Sequence, residues 1–284
     1  MSVFFNCLIS VKINVSEEKK MNDFKFKKKF GQNFLIDENI TKNIVLKSEI
    51  SPNSLIIEIG CGDGRLTKKL CATNNIVVGY EIDNEVIPLL KNNIAKFDNF
   101  YLINDDFLKR DIRDDIKDYD YENLYVIANL PYYITTPIIS KIIDSKLNIR
   151  SMTIMVQKEV GDRICAKPGS KEYSSLTVYL SYYFDIKKLF NVSRNSFMPK
   201  PNVDSVVISL NRKEDMIRAN NEEMFFKLVR DSFKFKRKNL RNNLRGYDLK
   251  VINKVLLKYN FDLQARAEQL TLEIFLDIAN SLSI

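Results

Sequence analysis

Ser54-Leu55-Ile56-Ile57-Glu58-Ile59 is a short β-type run that stops at Gly60-Cys61-Gly62-Asp63-Gly64, after which Leu66 and Leu70 recur at helical spacing. No other stretch restricts the fold as much. Strand, glycine turn and helix in that order form the opening unit of a nucleotide-binding α/β fold. Glycines let the backbone approach a ligand closely, and a helix N-terminus favours an anionic group. A second β-type run, Ile76-Val77-Val78-Gly79-Tyr80, ends at Glu81 and Ile82. An acid at that edge, roughly 20 residues beyond the glycines, is placed to bind a ribose diol. Residue 65 is Arg, so the pattern is GxGxG and not the dinucleotide GxGxxG.

A second organising stretch is Val126-Ile127-Ala128-Asn129-Leu130-Pro131-Tyr132-Tyr133. The apolar run reads as a buried strand that Pro131 ends, because proline lacks an N–H and fixes φ. Its polar group therefore sits at a carboxyl strand edge, where open α/β sheets bind ligands. The Asn129 side-chain oxygen and the Leu130 carbonyl are acceptors, and Tyr132 offers a flat face for stacking. Two acceptors beside an aromatic plate suit an exocyclic amine on a planar ring. The plainer reading is a strand-to-turn exit with the tyrosines in the core.

Further β-type runs cover Tyr101–Ile103, Met152–Val156, Val178–Phe184 and Val203–Leu210, and Pro137–Ile143 has helical spacing. Alternating strands and helices predict a doubly wound, mostly parallel, seven-stranded sheet. Asp106 closes the Tyr101 run within Asn104-Asp105-Asp106-Phe107, where its acid either reaches a ligand amine or is solvated. Asp37 is placed to cap a helix carrying Ile40, Ile44 and Val45. The two prolines of Ser196-Phe197-Met198-Pro199-Lys200-Pro201 make a stiff loop. They hold Phe197 outward or make it a hydrophobic plug.

Lys and Arg number 44 against 36 Asp and Glu, a net charge of +8 that favours a polyanionic partner. Two segments concentrate the charge. Phe24-Lys25-Phe26-Lys27-Lys28-Lys29-Phe30 interleaves rings with cations, and as a solvated arm it needs no partner. Phe233 to Arg245 carries Lys234, Lys236, Arg237, Lys238, Arg241 and Arg245 with no acid. Leu240 and Leu244 lie four apart, which predicts a helix with one packed face and one basic face. Six cations exceed what solubility needs and point to phosphate contact. We expect three parts: an N-terminal extension over 1–24 without order, an α/β domain over 25–211, and a small all-helical domain over 212–284.

The chain has no histidine, which removes Ser-His-Asp and Cys-His catalysis and every His-containing metal site. Its cysteines, Cys7, Cys61, Cys71 and Cys165, form no CxxC pair, so no metal centre is expected and free thiols of a reducing compartment are. No apolar run reaches membrane-span length. Val3-Phe4-Phe5 lacks a basic lead, so a cleaved signal is not expected. Met21 is a candidate start, and residues 1–20 are otherwise a candidate organellar targeting segment.

Together these stretches resemble the bacterial 16S rRNA adenine-N6 dimethyltransferase family, relatives of the macrolide-resistance methylases. The resemblance is carried by Phe30-Gly31-Gln32-Asn33-Phe34-Leu35, Glu58-Ile59-Gly60-Cys61-Gly62, Glu81, Asp106, Asn129-Leu130-Pro131-Tyr132, Phe197-Met198-Pro199-Lys200-Pro201 and Arg237-Lys238-Asn239-Leu240-Arg241-Asn242-Asn243-Leu244. It runs from about Lys27 to near the C-terminus. Cys61 stands where the family commonly has proline. It implies a Rossmann-like class I methyltransferase using S-adenosyl-L-methionine. Asn33, Leu35, Gly60 and Gly62 would line the methionine side, Glu81 and Ile82 the ribose, and Asp106 the adenine amine. Asn129 would contact both the cofactor and the target amine, and with Leu130, Pro131, Tyr132 and Phe197 it would form the catalytic set. Lys27, Lys28, Lys29 and the six C-terminal cations would contact RNA. The implied reaction is dimethylation at N6 of two adjacent adenosines near the 3′ end of small-subunit rRNA. The implied setting is a cytoplasmic monomer acting on the pre-30S subunit. An NAD-dependent oxidoreductase would explain the glycines and Glu81, but not Asn-Leu-Pro-Tyr or the basic segment. A large-subunit methylase and a non-catalytic assembly factor are closer alternatives.

Overall fold

The structure is a computed structural model, and it describes residues 33–215 and 217–282. Lys27, Lys28, Lys29 and the 1–24 extension lie outside the described residues. The α/β part runs β1 (Phe34–Leu35), α1 (Glu38–Lys47), β2 (Ser54–Ile59), α2 (Arg65–Cys71), β3 (Ile76–Tyr80), α3 (Ile87–Ile94), β4 (Phe100–Ile103), α4 (Ile112–Ile116), β5 (Asn123–Asn129), α5 (Thr135–Asp144), β6 (Ile149–Gln157), α6 (Lys158–Ile164), α7 (Ser175–Tyr183), β7 (Phe184–Val192), β8 (Phe197–Met198) and β9 (Ser205–Arg212). Asp37 caps α1 by accepting from the Asn39 N–H at 2.9 Å.

Seven strands pair in the order β4-β3-β2-β5-β6-β9-β7. The first five are parallel, and β9 runs antiparallel to both of its neighbours. All six residues of β2 are buried. Leu55, Ile57 and Ile59 face one core and Ile56 the other, so both faces of the sheet are covered by helices. A strand covered on both sides reads as an unbroken apolar run, which is why β2 is so plain in the sequence. The chain goes from β2 to β3 on one side, and β5 flanks β2 on the other. This is the topological switch point, and it opens a crevice at the carboxyl ends of β2 and β5.

Two of the expected elements differ. Val178 to Tyr183 belongs to helix α7, not to a strand, and the β-structure begins at Phe184. Ser174 and Thr177 form a capping box at the start of α7. Leu180 packs into the sheet core, whereas Val178 and Tyr182 enter a second core. A helix buried on opposite sides loses its amphipathic signature, so its sequence resembles a buried strand. The basic run also departs from expectation. Only Leu240–Asn243 is helical, and Lys234 to Asn239 forms turns before it. The Asn239 side chain supplies the cap that starts the helix at Leu240, accepting from the Asn242 N–H at 3.1 Å.

Among the described residues four helices follow the sheet: α8 (Glu222–Ser232), α9 (Leu240–Asn243), α10 (Leu249–Lys258) and α11 (Leu272–Leu282). A 3-10 turn over Ala267–Gln269 precedes α11. Their shared core contains Phe225, Leu240, Leu244, Leu256 and Phe275, together with Tyr173, Val178 and Tyr182 from before β7. Tyr182 joins the two parts: its hydroxyl donates to Glu222 Oε1 at 2.9 Å and accepts from the Ala219 N–H at 3.1 Å. Replacing Tyr182 with Phe strands that buried N–H. Tyr182→Phe is expected to destabilise the protein by about 1–3 kcal/mol in denaturant unfolding. An unchanged midpoint would mean that the hydroxyl carries no part of this joint.

Candidate active site

One cavity of about 230 Å³ lies at the crevice above β2, β3 and β5. Asn33, Leu35, Gly60, Gly62, Glu81, Ile82, Asp106, Asn129, Leu130, Pro131 and Tyr132 all line it. Residues from five separate stretches of sequence are thus brought together.

The glycine loop and Glu81 are physically joined. Gly60 and Gly62 adopt φ of 76° and 55°, and a Cβ on Gly62 would press within 3.2 Å of the Phe34 ring. The Gly62 N–H donates to Glu81 Oε2 at 2.8 Å, and the Asp83 N–H donates to Oε1 at 2.9 Å. Burial pushes the Glu81 carboxyl up, while these amide donors pull it back. At the end of the loop, Asp63 binds the Arg65 guanidinium at 2.8 Å, and Arg65 reaches the Ile36 carbonyl at 3.2 Å. The segment around Ile36 is therefore tied to the glycine loop.

Cys61 fits beside Gly79 on β3, where any Cβ would come within 2.5 Å of its sulfur. Beneath it lies Glu58, 1% exposed, with Oε2 and the Thr67 hydroxyl both lacking hydrogen-bond partners among the described residues. Burial pushes the Glu58 carboxyl up to about 8. The Thr67 and Cys61 side chains oppose the rise, and the charges of Glu81 and Asp63 add to it. Sequence reading passed over Glu58 as part of a β-type run. The available signal was a lone carboxylate inside an apolar strand, a residue type seldom buried unpaired.

Asn129 ends β5. Its Nδ2 donates to the Asn33 carbonyl at 3.4 Å, which sets the orientation of the amide. Asn129 lines the cavity and keeps a second N–H and the Oδ1 acceptor beyond this bond. The Leu130 N–H is held by the Met155 carbonyl at 3.1 Å. Asp106 caps a 3-10 turn through Oδ1, accepting from the Leu108 N–H at 3.0 Å.

The aromatic residues divide the roles differently from expectation. The Tyr132 hydroxyl bonds Ser205 Oγ at 2.6 Å, and Ser205 is fully buried, so this ring is anchored at its polar end. Tyr133 is 57% exposed and lines the same cavity, and the charges of Asp106 and Glu81 add to the upward shift that burial gives its hydroxyl. Phe197 is a plug, not an outward plate, at 3% exposure among Leu35, Ile44 and Val207. The reason is pairing. β8 runs antiparallel to β1, with Leu35 opposite Phe197 and Phe34 opposite Met198, which turns Phe197 into the core. Lys234, Lys236, Arg237, Lys238, Arg241 and Arg245 are exposed and do not line the cavity. Among the described residues no group of His, Cys, Asp and Glu is arranged to hold a metal, and no helix is long and apolar enough to cross a membrane.

The neutral state of Glu58 has a thermodynamic consequence. Its carboxyl rises from 4.5 to about 8 on folding. The unfolded chain loses that proton first, so stability is full below 4.5 and falls as pH rises towards 8. Glu58→Gln should remove this dependence, gaining on wild type by up to about 1.4 kcal/mol per pH unit across the window. Urea unfolding at pH 5.5 and pH 7.5 checks it. A pH-independent difference would mean that Glu58 is ionised in the fold.

A family model for ribosomal RNA adenine dimethylase matches residues 23–283. The chain is 42% identical over 268 residues to ribosomal RNA small subunit methyltransferase A of Bacillus mycoides, covering 91% of this chain and 92% of that protein. The same figures hold for the Bacillus anthracis protein of that name. Among solved structures, a dimethyladenosine transferase from Plasmodium falciparum superposes with a TM-score of 0.71 at 26% identity, covering 85% of this chain and 94% of that one. The 23S rRNA methyltransferase ErmE shares the fold, with a TM-score of 0.71 at 24% identity over 89% of this chain and 100% of that one. With the family model spanning nearly all of the chain and its motifs gathered at one cavity, the chain belongs to the ribosomal RNA adenine dimethylase family.

Proposed function

We propose that this protein transfers methyl groups from S-adenosyl-L-methionine to N6 of two adjacent adenosines near the 3′ end of small-subunit rRNA, forming N6,N6-dimethyladenosine during ribosome assembly in the cytoplasm. The observation that carries the reading is Asn129. One N–H of its amide is taken up by the Asn33 carbonyl, and its Oδ1, beside Leu130 at a strand end that lines the cavity, serves as acceptor for the target amine.

The donor set fits the cofactor. The Gly60 and Gly62 loop leaves a cradle that side chains would fill, and the Glu81 carboxylate is fixed by two backbone N–H groups with lone pairs to spare for a ribose diol. Asp106 keeps Oδ2 for an adenine amine while Oδ1 serves its cap. Ile82, 42% exposed, offers an apolar flank to the ring. When bound, the cofactor supplies an electrophilic methyl on a sulfonium.

The adenine amine is a weak nucleophile, because its lone pair is delocalised into the ring. Asn129 Oδ1 and the Leu130 carbonyl accept its two hydrogens and favour a pyramidal nitrogen. Held by the glycine loop, Glu81 and Asp106, the cofactor would supply the methyl for the new N–C bond and keep the sulfur's electron pair, and the nitrogen's proton would pass to water. Holding nitrogen and methyl in line supplies much of the rate. A neutral Asn in place of an Asp leaves the site uncharged, which suits an amine that already carries one methyl. The base must leave any stack, and Tyr132, braced by Ser205, offers the face that receives it. The 42% identity to small subunit methyltransferases supports the small-subunit target over a large-subunit one.

Asn129→Ala should lower methyl transfer by about 10²–10³-fold with the fold intact, the scale of removing one preorganised polar contact. Mass spectrometry of digested small-subunit rRNA reads mono- and dimethyladenosine separately. Full activity in Asn129→Ala would reduce the motif to a turn, and a wild type that stops at one methyl would end the dimethyltransferase assignment. Glu81→Ala should weaken cofactor binding by roughly 1.5–3 kcal/mol in calorimetry, since a charge-assisted contact is lost. Unchanged affinity would remove Glu81 from the site.

A further inference from the structure

The basic turn after α8 carries one residue that phosphate contact does not explain. Phe235 is 56% exposed between Lys234 and Lys236. A single exposed apolar side chain is ordinary on a protein surface. This one differs in its surroundings and in how its backbone is held. Two residues earlier, Phe233 turns inward and packs against Tyr173 and Phe275, with ring centroids 6.1 and 5.9 Å away. That anchor pins the start of the turn.

Asn243 then fastens the turn from the other side. Its Nδ2 donates to the Ser232 carbonyl at 2.6 Å, and its Oδ1 accepts from the Phe235 N–H at 3.3 Å. The Lys238 N–H donates to the Phe235 carbonyl at 2.9 Å, and Lys236 Nζ reaches the Lys171 carbonyl at 2.8 Å. The backbone at Phe235 is thus fixed at both its N–H and its carbonyl while the ring is left in solvent. Lys234 Nζ lies 5.7 Å from the ring centroid. Among the described residues, none of Lys234, Lys236, Arg237, Lys238, Arg241 and Arg245 forms an ion pair with an acid. A fixed aromatic face inside a cluster of unpaired cations is the combination that binds unpaired nucleotides: cations take the phosphates and the ring takes a base.

We infer that Phe235 is a stacking platform for an unpaired nucleobase of the RNA, so that this surface selects single-stranded loops over continuous duplex. The inference rests on the rRNA-binding reading above and adds a recognition element that charge alone cannot supply. Duplex RNA offers phosphates but keeps its bases stacked on one another, so the ring gains nothing from it.

The chain has no tryptophan, so Phe235→Trp places the single tryptophan of the variant at this position, where it can be excited apart from the tyrosines. With full-length protein we expect a stem-loop RNA to quench that fluorescence and a blunt duplex of equal length to leave it unchanged. Phe235→Ala should weaken stem-loop binding by about 5- to 150-fold, the range for loss of one stacked base, with an unaltered salt slope and unaltered duplex binding. Arg237→Ala with Lys238→Ala and Arg241→Ala should instead weaken both RNAs and flatten the salt slope, by about 0.7 per lost phosphate contact on single strands. If Phe235→Ala binds the stem-loop as wild type does while the triple variant is weakened, the platform is refuted and RNA binding at this surface stands. If the triple variant also binds both RNAs unchanged, the surface itself is not the RNA site and both readings fall.

Discussion

The pairing of β2 with β3 on one side and β5 on the other is the constraint on which the site depends. A parallel sheet has to be entered from both directions somewhere, and at that place two successive crossovers diverge and leave a crevice. Here the crevice separates the ends of β2, β3 and β5. The Gly60 N–H is held by the Tyr80 carbonyl at 2.8 Å, so the glycine loop starts from β3 as well as from β2. Glu81 and Asn129 then stand at the ends of β3 and β5, the two strands that flank β2, and line one space. No loop has to be ordered by a ligand to bring them there, because the sheet already places them.

Around that crevice the chain uses backbone donors to hold its acids. Glu81 is bound by the Gly62 and Asp83 amides, and Asp106 by the Leu108 amide. Such bonds keep a carboxylate oriented while leaving further lone pairs for a ligand. Glu58 lies one layer deeper and has no such donors, and burial keeps it protonated until pH approaches about 8. A protein with a net charge of +8 nonetheless lines this crevice with acids and, among the described residues, carries cations without ion pairs on the turn after α8.

Two small pairings extend the same logic beyond the main sheet. The β1–β8 ribbon joins the Asn33 segment to the Phe197 loop, more than a hundred residues apart, and brings the Asn33 carbonyl to Asn129. The second core reaches back to Tyr173, Val178 and Tyr182, so the C-terminal helices are seated on the α/β part through α7. The position of the Asn129 amide and the seating of the basic turn are in this way products of pairing between distant parts of the chain.

The sequence by itself determined the parts whose physics is local. Glycines at 60 and 62, an acid after β3, an amide before Pro131 and alternating elements were all legible, because turn geometry and strand ends are written in neighbouring residues. The six cations were legible as a patch but not as a turn, since the Asn239 cap and the Asn243 bonds decide where the helix starts. Helix α7 was misread because burial on opposite sides erased its periodicity. Which face Phe197 and Tyr132 present was open until β8 met β1 and the Tyr132 hydroxyl found Ser205. The proton on Glu58 was not legible, because it follows from how much water the finished core excludes. Local backbone chemistry names the candidate groups, and only long-range packing settles their orientation, their partners and their charge, since each of these is fixed by residues distant in the chain.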